Sequence, residues 1–183
     1  MACRPHPAMA EFLRPARKSS RLKPLLRETQ GMTKHTIREA IADDRDWLAD
    51  SAITMALETE HKQLDPDTVR AGVEAGIADP AKARYFIAVD AEGAAIGTLM
   101  LTREWSDWRN GDWWWIQSVY VVPAQRRRGV FAALYRHAEA LARASPGVIG
   151  LRLYVERDNA AAQRTYAALG MDDAGYRIFE ALL

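Results

Sequence analysis

The sequence predicts an α/β fold in which a mixed central β-sheet carries helices on both faces. Strand-like and helix-like segments follow each other as strand, two helices, three strands, helix, strand, helix, strand. Two strand segments between residues 85 and 101 are joined by a tight turn, which predicts an antiparallel hairpin. The strand–helix–strand unit over residues 113–155 predicts a parallel, right-handed crossover. A sheet with both kinds of connection is mixed.

The first half of the chain supplies a strand, two helices and the hairpin. Asp43 and Asp44 can cap the first helix, in which apolar residues recur at helical spacing. Asp65 as the N-cap and Pro66 at the first helical position mark the second helix. The predicted strands of this half are Lys34–Ala40, Tyr85–Val89 and Ala95–Leu101.

The second half begins with the polar, aromatic segment Arg103–Asp112 and its turn signal, Asn110-Gly111. A long strand follows, which Pro123 stops. The next helix is amphipathic, because its apolar residues fall on one face. The predicted elements are the strand Trp113–Val122, the helix Val130–Ala144, the strand Val148–Val155, the helix Ala160–Leu169 ending before Gly170, and a closing strand, Tyr176–Leu182.

Residues 1–32 are predicted to be a flexible basic N-terminal extension that precedes a domain over residues 33–183. The first 31 residues carry seven basic side chains, two acidic ones and four prolines, and such a segment can bury little apolar surface. One interpretation is an arm that contacts phosphates or acidic partners. The other is a dispensable tail.

The composition narrows the classes of function. A formal net charge of +1 gives no global attraction to nucleic acid or to a membrane surface, and no apolar run approaches the roughly 18 residues of a spanning helix. Cys3 is the single cysteine, which fits a reducing compartment. The histidines lack metal-ligand spacing. We therefore expect a cytoplasmic protein with no metal, no nucleic-acid partner and no membrane partner.

The segment Gln125–Val130 predicts an anion-binding loop. It lies between a strand and a helix, and the start of a helix presents unpaired N–H groups and a partial positive charge. Gly129 allows the backbone to approach a ligand closely, and three arginines before it add donors suited to phosphate. These features indicate a site for a phosphorylated cofactor; a solvated basic loop is the alternative.

The same residues resemble the acetyl-CoA signature of the GNAT superfamily, Gln/Arg-x-x-Gly-x-Gly/Ala after a strand. The strand ends in Val119-Tyr120-Val121, and Arg126-Arg127-Arg128-Gly129-Val130-Phe131 follows Pro123, with Phe131 where the family has a small residue. The resemblance implies a GNAT-like fold and an N-acetyltransferase that uses acetyl-CoA. The cofactor-binding residues it implies are Val119, Tyr120, Val121, Arg126, Arg127, Arg128, Gly129, Val130, Phe131, Ala132 and Asn159.

A second stretch, Asn159-x-x-Ala162-x-x-x-Tyr166-x-x-x-Gly170-Met171, is similar to the second motif of the family. Asn159 and Tyr166 are seven residues apart and lie on nearly the same helix face. The resemblance implies that Asn159 binds the pantetheine arm of CoA and that Tyr166 donates a proton to the leaving thiolate. It also implies that the main chain of Val119 and Val121 meets that arm. The alternative for Tyr166 is packing of its helix on the sheet.

The acceptor and the general base are less defined. Trp105, Trp108 and Gln117 are predicted to line the substrate pocket. The alternative for the cluster that these tryptophans form with Trp113, Trp114 and Trp115 is that alternate tryptophans pack in the core and the others cover a helix or a dimer partner. An ordered water, or arrival of a neutral amine, can replace a protein base. The alternatives to an enzyme are a non-catalytic acyl-CoA-binding regulatory domain and a nucleic-acid-binding module. By analogy with the family, two copies of this chain can form a homodimer. The candidate carboxylates are Glu58, Glu60, Glu104, Asp107, Asp112 and Glu156.

Overall fold

The structure, a computed structural model, describes residues 35–181, so the extension predicted over residues 1–32 lies outside the described residues. The described part holds five strands and four α-helices. Most elements begin and end within a few residues of the predicted bounds. They are β1 (Thr36–Glu39), α1 (Arg45–Glu60), α2 (Pro66–Ala78), β2 (Arg84–Val89), β3 (Ala95–Ser106), β4 (Gly111–Val121), α3 (Val130–Ala144), β5 (Val148–Leu153) and α4 (Ala160–Ala168).

The five strands form one sheet in the order β1-β2-β3-β4-β5. Each of the first three strands pairs antiparallel with the next, and β5 pairs parallel with β4, to which α3 connects it. The predicted mixed sheet, the hairpin and the parallel strand–helix–strand unit are therefore confirmed. Asp65 caps α2 as predicted, because its carboxylate accepts the N–H of Thr68 at 2.8 Å.

Helices cover both faces of the sheet, as predicted. Phe86 and Ala88 of β2 pack in one apolar cluster with Leu134 of α3. Ile87, between them, faces the other way and packs in a second cluster with Leu48 of α1. Alternate residues of a strand point to opposite faces, so α3 lies on one face and α1 with α2 on the other. Burial of these side chains on two sides supplies the main stabilisation of the sheet.

The segment predicted as a polar loop, Arg103–Asp112, is mostly strand. β3 continues to Ser106, and only residues 107–110 form the turn. Cross-strand pairs explain the extension, since Glu104 lies opposite Trp113 and Trp105 lies opposite Asp112. Contacts of this kind between facing side chains stabilise a ladder even when the segment is polar.

The closing strand predicted over Tyr176–Leu182 is wrong for the residues that the structure describes. Residues 171–181 form no strand, and the large side chains of Tyr176, Ile178 and Phe179 are exposed. The alternation in this segment gives it the capacity to pair, but a strand is stable only when a neighbouring edge accepts its hydrogen bonds. No such pairing forms between residues 171–181 and the edge strand β5 in the described chain.

Candidate functional site

The strands β4 and β5 part at one end of the sheet. Their parallel pairing runs from Asp112 with Val148 to Ile116 with Leu153, where β5 ends. β4 continues to Val121 and from there on pairs only with β3. A gap therefore opens beside the last residues of β4.

The main chain of Val119 and Val121 points into this gap. The N–H of Val122 donates to the carbonyl of Ile96 in β3, at 3.0 Å, so Val122 faces β3. Because backbone groups of successive residues alternate between the two sides of a strand, those of Val119 and Val121 face away from β3. The carbonyl of Val121 accepts the Nε of Arg126 at 2.9 Å on that side. Val119 thus presents an N–H and a carbonyl to whatever enters the gap.

The arginine loop next to the gap exposes a run of backbone N–H groups. A short 3-10 turn precedes it, Arg127 and Gly129 adopt positive φ of 62° and 84°, and α3 begins at Val130 without a side-chain cap. Among residues 35–181, no acceptor meets the N–H groups of residues 127–132. With the positive end of the α3 dipole behind them, these groups form an anion-binding cradle.

The three arginines of the loop do different things. Arg126 is held by contacts within the protein, because its guanidinium pairs with Glu58 of α1 at 2.5 Å and lies 5.8 Å from the centre of the Tyr120 ring. Arg127 and Arg128 are exposed and form no ion pair with a carboxylate of the described chain. The structure therefore leaves two guanidinium groups beside the cradle for an anionic ligand.

The helix α4 carries the second predicted pair. The side-chain oxygen of Asn159 caps α4 by accepting the N–H of Ala162 at 3.0 Å, so its amide nitrogen remains as a donor. Tyr166 is half-buried, and the burial raises the pKa of its phenol. The ring of Phe131 meets the Tyr166 ring edge-on, with 5.7 Å between their centres. Phe131 thus brings Tyr166 next to the start of α3.

Three of the six candidate carboxylates are held by cations. Besides the pair of Glu58 with Arg126, Glu60 pairs with Lys62 at 2.6 Å. Glu104 accepts Arg152 at 2.8 Å and also the indole N–H of Trp115. The others are Asp107, which accepts the N–H of Trp108, and Asp112 and Glu156.

The structure does not bring the predicted pocket residues together. Trp105 and Trp108 are 60% and 76% exposed at the tip of the β3–β4 hairpin. The partner of Trp105, Asp112, is nine residues from Val121, which corresponds to about 30 Å along β4. Gln117, in contrast, is an exposed residue at a register shift where the gap begins. Of this set, only Gln117 lies beside the gap.

The three consecutive tryptophans of β4 alternate between the two faces of the sheet, and of the three only the middle one is buried in the core. Trp114 is 3% exposed and belongs to the cluster under α3. Trp113 and Trp115 face the other side, where Arg152 lies 4.1 Å and 5.7 Å from their ring centres. Trp115 also stacks on Tyr154 at 4.3 Å. Cation–π contacts of this kind hold β5 against β4 up to the point where they part.

A cavity on the α1–α2 face was not predicted from the sequence. It is partly open to solvent and has a volume of about 60 Å³. Thr98 is 7% exposed, and within the described chain its hydroxyl has no hydrogen-bond partner. The available signal was Thr98 itself, a polar residue inside the apolar run Ala95–Leu101. The lining residues are Leu48, Ala52, Met55, Val73, Tyr85, Thr98, Ser118 and Tyr120.

Residues 35–181 contain neither a membrane-spanning helix nor a group of metal-binding side chains. No helix between residues 35 and 181 is long and apolar enough to cross a bilayer. Over the same residues, no three His, Cys, Asp or Glu side chains are grouped so that they could hold a metal ion.

The comparison with protein families matches residues 45–171 to the Acetyltransferase (GNAT) family, the greater part of the chain and all of the site described above. The chain belongs to the GNAT family. The comparison with curated proteins gave no match.

Solved structures agree with this assignment. A protein described as a possible acetyltransferase, from Clostridium difficile 630, is 39% identical, with a TM-score of 0.76 over 81% of this chain and 97% of its own. An aminoglycoside N-acetyltransferase, AAC(6')-Iy, in complex with CoA is 18% identical, with a TM-score of 0.66 over 84% of this chain and 98% of its own. The ribosomal-protein-alanine N-acetyltransferase of Brucella melitensis biovar Abortus 2308 is 15% identical, with a TM-score of 0.64 over 82% of this chain and 100% of its own. The last two share the GNAT fold with this chain.

Proposed function

We propose that this protein is an N-acetyltransferase that moves the acetyl group of acetyl-CoA to a primary amine, with Tyr166 as the general acid. One observation carries the proposal. The backbone N–H groups of residues 127–132, which have no acceptor in the described chain, lie directly after a strand whose end borders an open gap. Family membership supports an acyltransferase with this donor.

The donor fits the groups that the site offers. The pyrophosphate would take the N–H groups of residues 127–132, with Arg127 and Arg128 beside it. The amides of the pantetheine arm would bond to the main chain of Val119 and to the free amide nitrogen of Asn159. Arg126 would contribute indirectly, since its bonds to Glu58 and to the carbonyl of Val121 fix the end of β4.

The transfer needs one bond made and one broken. The amine nitrogen attacks the thioester carbonyl carbon, a C–N bond forms, and the C–S bond then breaks with its electron pair on sulfur. Tyr166 gives its phenolic proton to that sulfur and recovers a proton from solvent. The N–H of Val119 polarises the carbonyl oxygen, as an oxyanion donor does. Cys3 lies in the N-terminal extension of the sequence, so direct transfer without an acyl-enzyme is the simpler route.

The attacking amine loses its own proton during the reaction. The carboxylates of Glu58 and Glu104 are both already paired with arginines, so neither is free to receive the amine without breaking an ion pair. Gln117 and Ser118 follow Ile116, the last residue of β4 that pairs with β5, and can hold a water at the gap. We therefore propose that the amine arrives neutral or transfers its proton to such a water.

Replacing Tyr166 by Phe tests the proposal. We expect kcat to fall about 10²-fold or more, since general acid catalysis typically contributes that much, while the affinity for CoA changes less than about twofold. CoA binding is measured by calorimetry, and turnover by thiol release over an amine panel. The matched control is Tyr176→Phe, which alters an exposed tyrosine of the C-terminal segment and should leave both values unchanged.

Two results would contradict the proposal. Full turnover in Tyr166→Phe would remove Tyr166 as the acid. CoA binding by the unaltered protein without acetylation of any amine in the panel would favour the non-catalytic acyl-CoA-binding domain instead.

The setting of the enzyme is part of the same proposal. The single cysteine, Cys3, supports a reducing compartment such as the cytoplasm. Pairing of two copies is an expectation from the family resemblance, and sedimentation of the purified chain measures it.

A further inference from the structure

The cavity between the sheet and the helices α1 and α2 has two chemically distinct walls. The helices contribute apolar side chains, among them Leu48 and Met55. The sheet contributes hydroxyl groups, among them those of Thr98 and Ser118. All the lining side chains are uncharged. This combination suits a ligand that is mostly apolar and carries a small polar group.

The hydroxyl of Thr98 is the most informative atom of this cavity. It is buried and meets no hydrogen-bond partner among residues 35–181. A buried polar group without a partner is costly, and natural structures rarely keep one without a reason. A ligand group that bonds to Thr98 would remove that cost.

The cavity borders the same segment of β4 as the gap where the thioester is proposed to sit. Ser118 and Tyr120 line it, and Val119, between them in sequence, turns its main chain into the gap. A ligand that fills the cavity therefore ends beside the strand segment that holds the thioester carbonyl.

We propose that this cavity is the acceptor pocket and that the acceptor is a small primary amine with an apolar body and one uncharged hydrogen-bonding group. This inference rests on the proposed function. The body lies against α1 and α2, the polar group bonds to Thr98, and the amine nitrogen reaches the gap next to Val119.

The same lining excludes polycations as the preferred class. Each additional ammonium group would need a carboxylate partner when it leaves water. The carboxylate next along α1, that of Glu58 one turn after Met55, already pairs with Arg126. Polyamines and aminoglycosides should therefore bind poorly in this cavity.

Three probe amines test the assignment on the full chain. Tyramine has an aromatic body and a hydroxyl, 2-phenylethylamine has the same body without the hydroxyl, and spermidine is a polycation. Binding to the protein with and without saturating CoA is measured by ligand-observed NMR and calorimetry. We expect tyramine to bind at least tenfold more tightly than spermidine and about threefold more tightly than 2-phenylethylamine.

Two variants of the cavity have matched controls. Thr98→Val removes the hydroxyl at nearly constant shape, and it should abolish the preference for tyramine over 2-phenylethylamine; Thr102→Val on the same strand should not. Ala52→Leu fills the cavity from α1 and should weaken both aromatic amines at least tenfold; Ala71→Leu, on the exposed face of α2, should not. If Ala52→Leu does not fold, the pair of threonine variants still decides.

The outcomes separate this inference from the proposed function. Tightest binding by spermidine, no binding by either aromatic amine, or equal effects of Thr98→Val and Thr102→Val would overturn the acceptor assignment, even if CoA binds and amines are acetylated. Failure of CoA to bind would overturn the proposed function, and amine binding to the CoA-free protein would still report on the cavity.

Discussion

At the scale of single residues, Phe131 is the departure from the family pattern, and the structure accommodates its large ring. The ring does not disturb the loop, because α3 begins at Val130 and its first helical bond runs from the N–H of Ala133 to the carbonyl of Gly129. Instead the ring contacts Tyr166 on α4, with Tyr135 6.3 Å away on its other side. Phe131 therefore both positions the phenol of Tyr166 and shields it from water.

Replacing Phe131 by Ala should lower the pKa of Tyr166. Burial raises this pKa above its usual value of about 10 by disfavouring the phenolate, and removing the ring returns water to the phenol. A phenol with a raised pKa stays protonated to higher pH, so the tyrosinate of the variant should form at lower pH. The ultraviolet absorbance of tyrosinate measures this shift, after subtraction of the curve of Tyr166→Phe. Phe131→Leu should give an intermediate shift, and identical curves for Phe131→Ala and the unaltered protein would contradict the expectation.

Local rules account for part of the site and cannot account for the rest. Gly129 lies where a helix starts after a strand, and seven residues bring Asn159 and Tyr166 to one helix face, whereas the role of Tyr166 came from the family resemblance. The ion pair of Glu58 with Arg126 joins residues 68 positions apart, and nothing in either segment specifies the other. Thr98 gains its meaning only when α1 and the sheet enclose it.

At the scale of elements, the loop before α3 depends on its backbone conformation. Gly129 has φ 84°, a region that residues with a Cβ rarely adopt, yet a Cβ added there would meet no atom within 4 Å. A substitution is therefore opposed by backbone strain and not by a collision. The strained residue therefore lies among the N–H groups of residues 127–132, which have no acceptor in the described chain.

Replacing Gly129 by Ala should reduce the free energy of unfolding by about 1–2 kcal/mol, the usual cost of a left-handed residue with a Cβ. It should also weaken CoA binding, because relaxation of φ moves the N–H groups. The control is Gly72→Ala in α2, where a Cβ meets nothing within 4 Å and the helix gains about 0.5–1 kcal/mol. Urea unfolding gives both values, and destabilisation by both variants alike would count against this account.

The first strand and the first helix are joined by Arg38 and Asp44. The Asp44 carboxylate accepts hydrogen bonds from two guanidinium nitrogens of Arg38, with N···O distances of 2.6 Å and 2.7 Å. It also accepts the N–H of Ile41, with an N···O distance of 2.8 Å. The bond to Arg38 lowers the pKa of Asp44 below its usual range. A carboxyl group with a lowered pKa in the folded state stabilises the fold above its unfolded pKa and loses that contribution as pH falls.

Asp44→Asn should therefore cost about 1 kcal/mol of unfolding free energy at pH 7, a modest value because Arg38 is partly exposed. The difference from the unaltered protein should shrink as pH falls from about 5 toward 3, where Asp44 becomes protonated. Urea unfolding at several pH values measures it. Asp43→Asn, next in sequence and without a hydrogen bond to its side chain in the described chain, should show neither effect. A difference that stays constant down to pH 3 would refute the role of the Asp44 charge.

At the scale of the whole molecule, the order of elements and the two faces of the sheet follow from the sequence pattern. The ends of pairing do not. The strand β4 continues past the polar residues Gln117 and Ser118 to Val121, and the gap arises because β5 ends at Leu153 and a register shift falls near Gln117. Both are properties of strand pairs and not of one strand. The segment from Tyr176 onward fails for the same reason, since alternation within a segment does not supply a neighbouring edge.

The gap beside β4 also bears on how such a chain can diversify. On the proposed function, the donor is gripped by peptide groups of Val119 and residues 127–132, which every amino acid except proline carries. Apart from Gly129, whose positive φ is required, the side chains of this loop can therefore be substituted, as Phe131 illustrates, while these peptide contacts are kept. The cavity between the sheet and the helices α1 and α2 is instead lined by side chains. A single substitution can change the size or the charge of any of them. Acceptor choice should therefore drift quickly among relatives while donor choice stays constant.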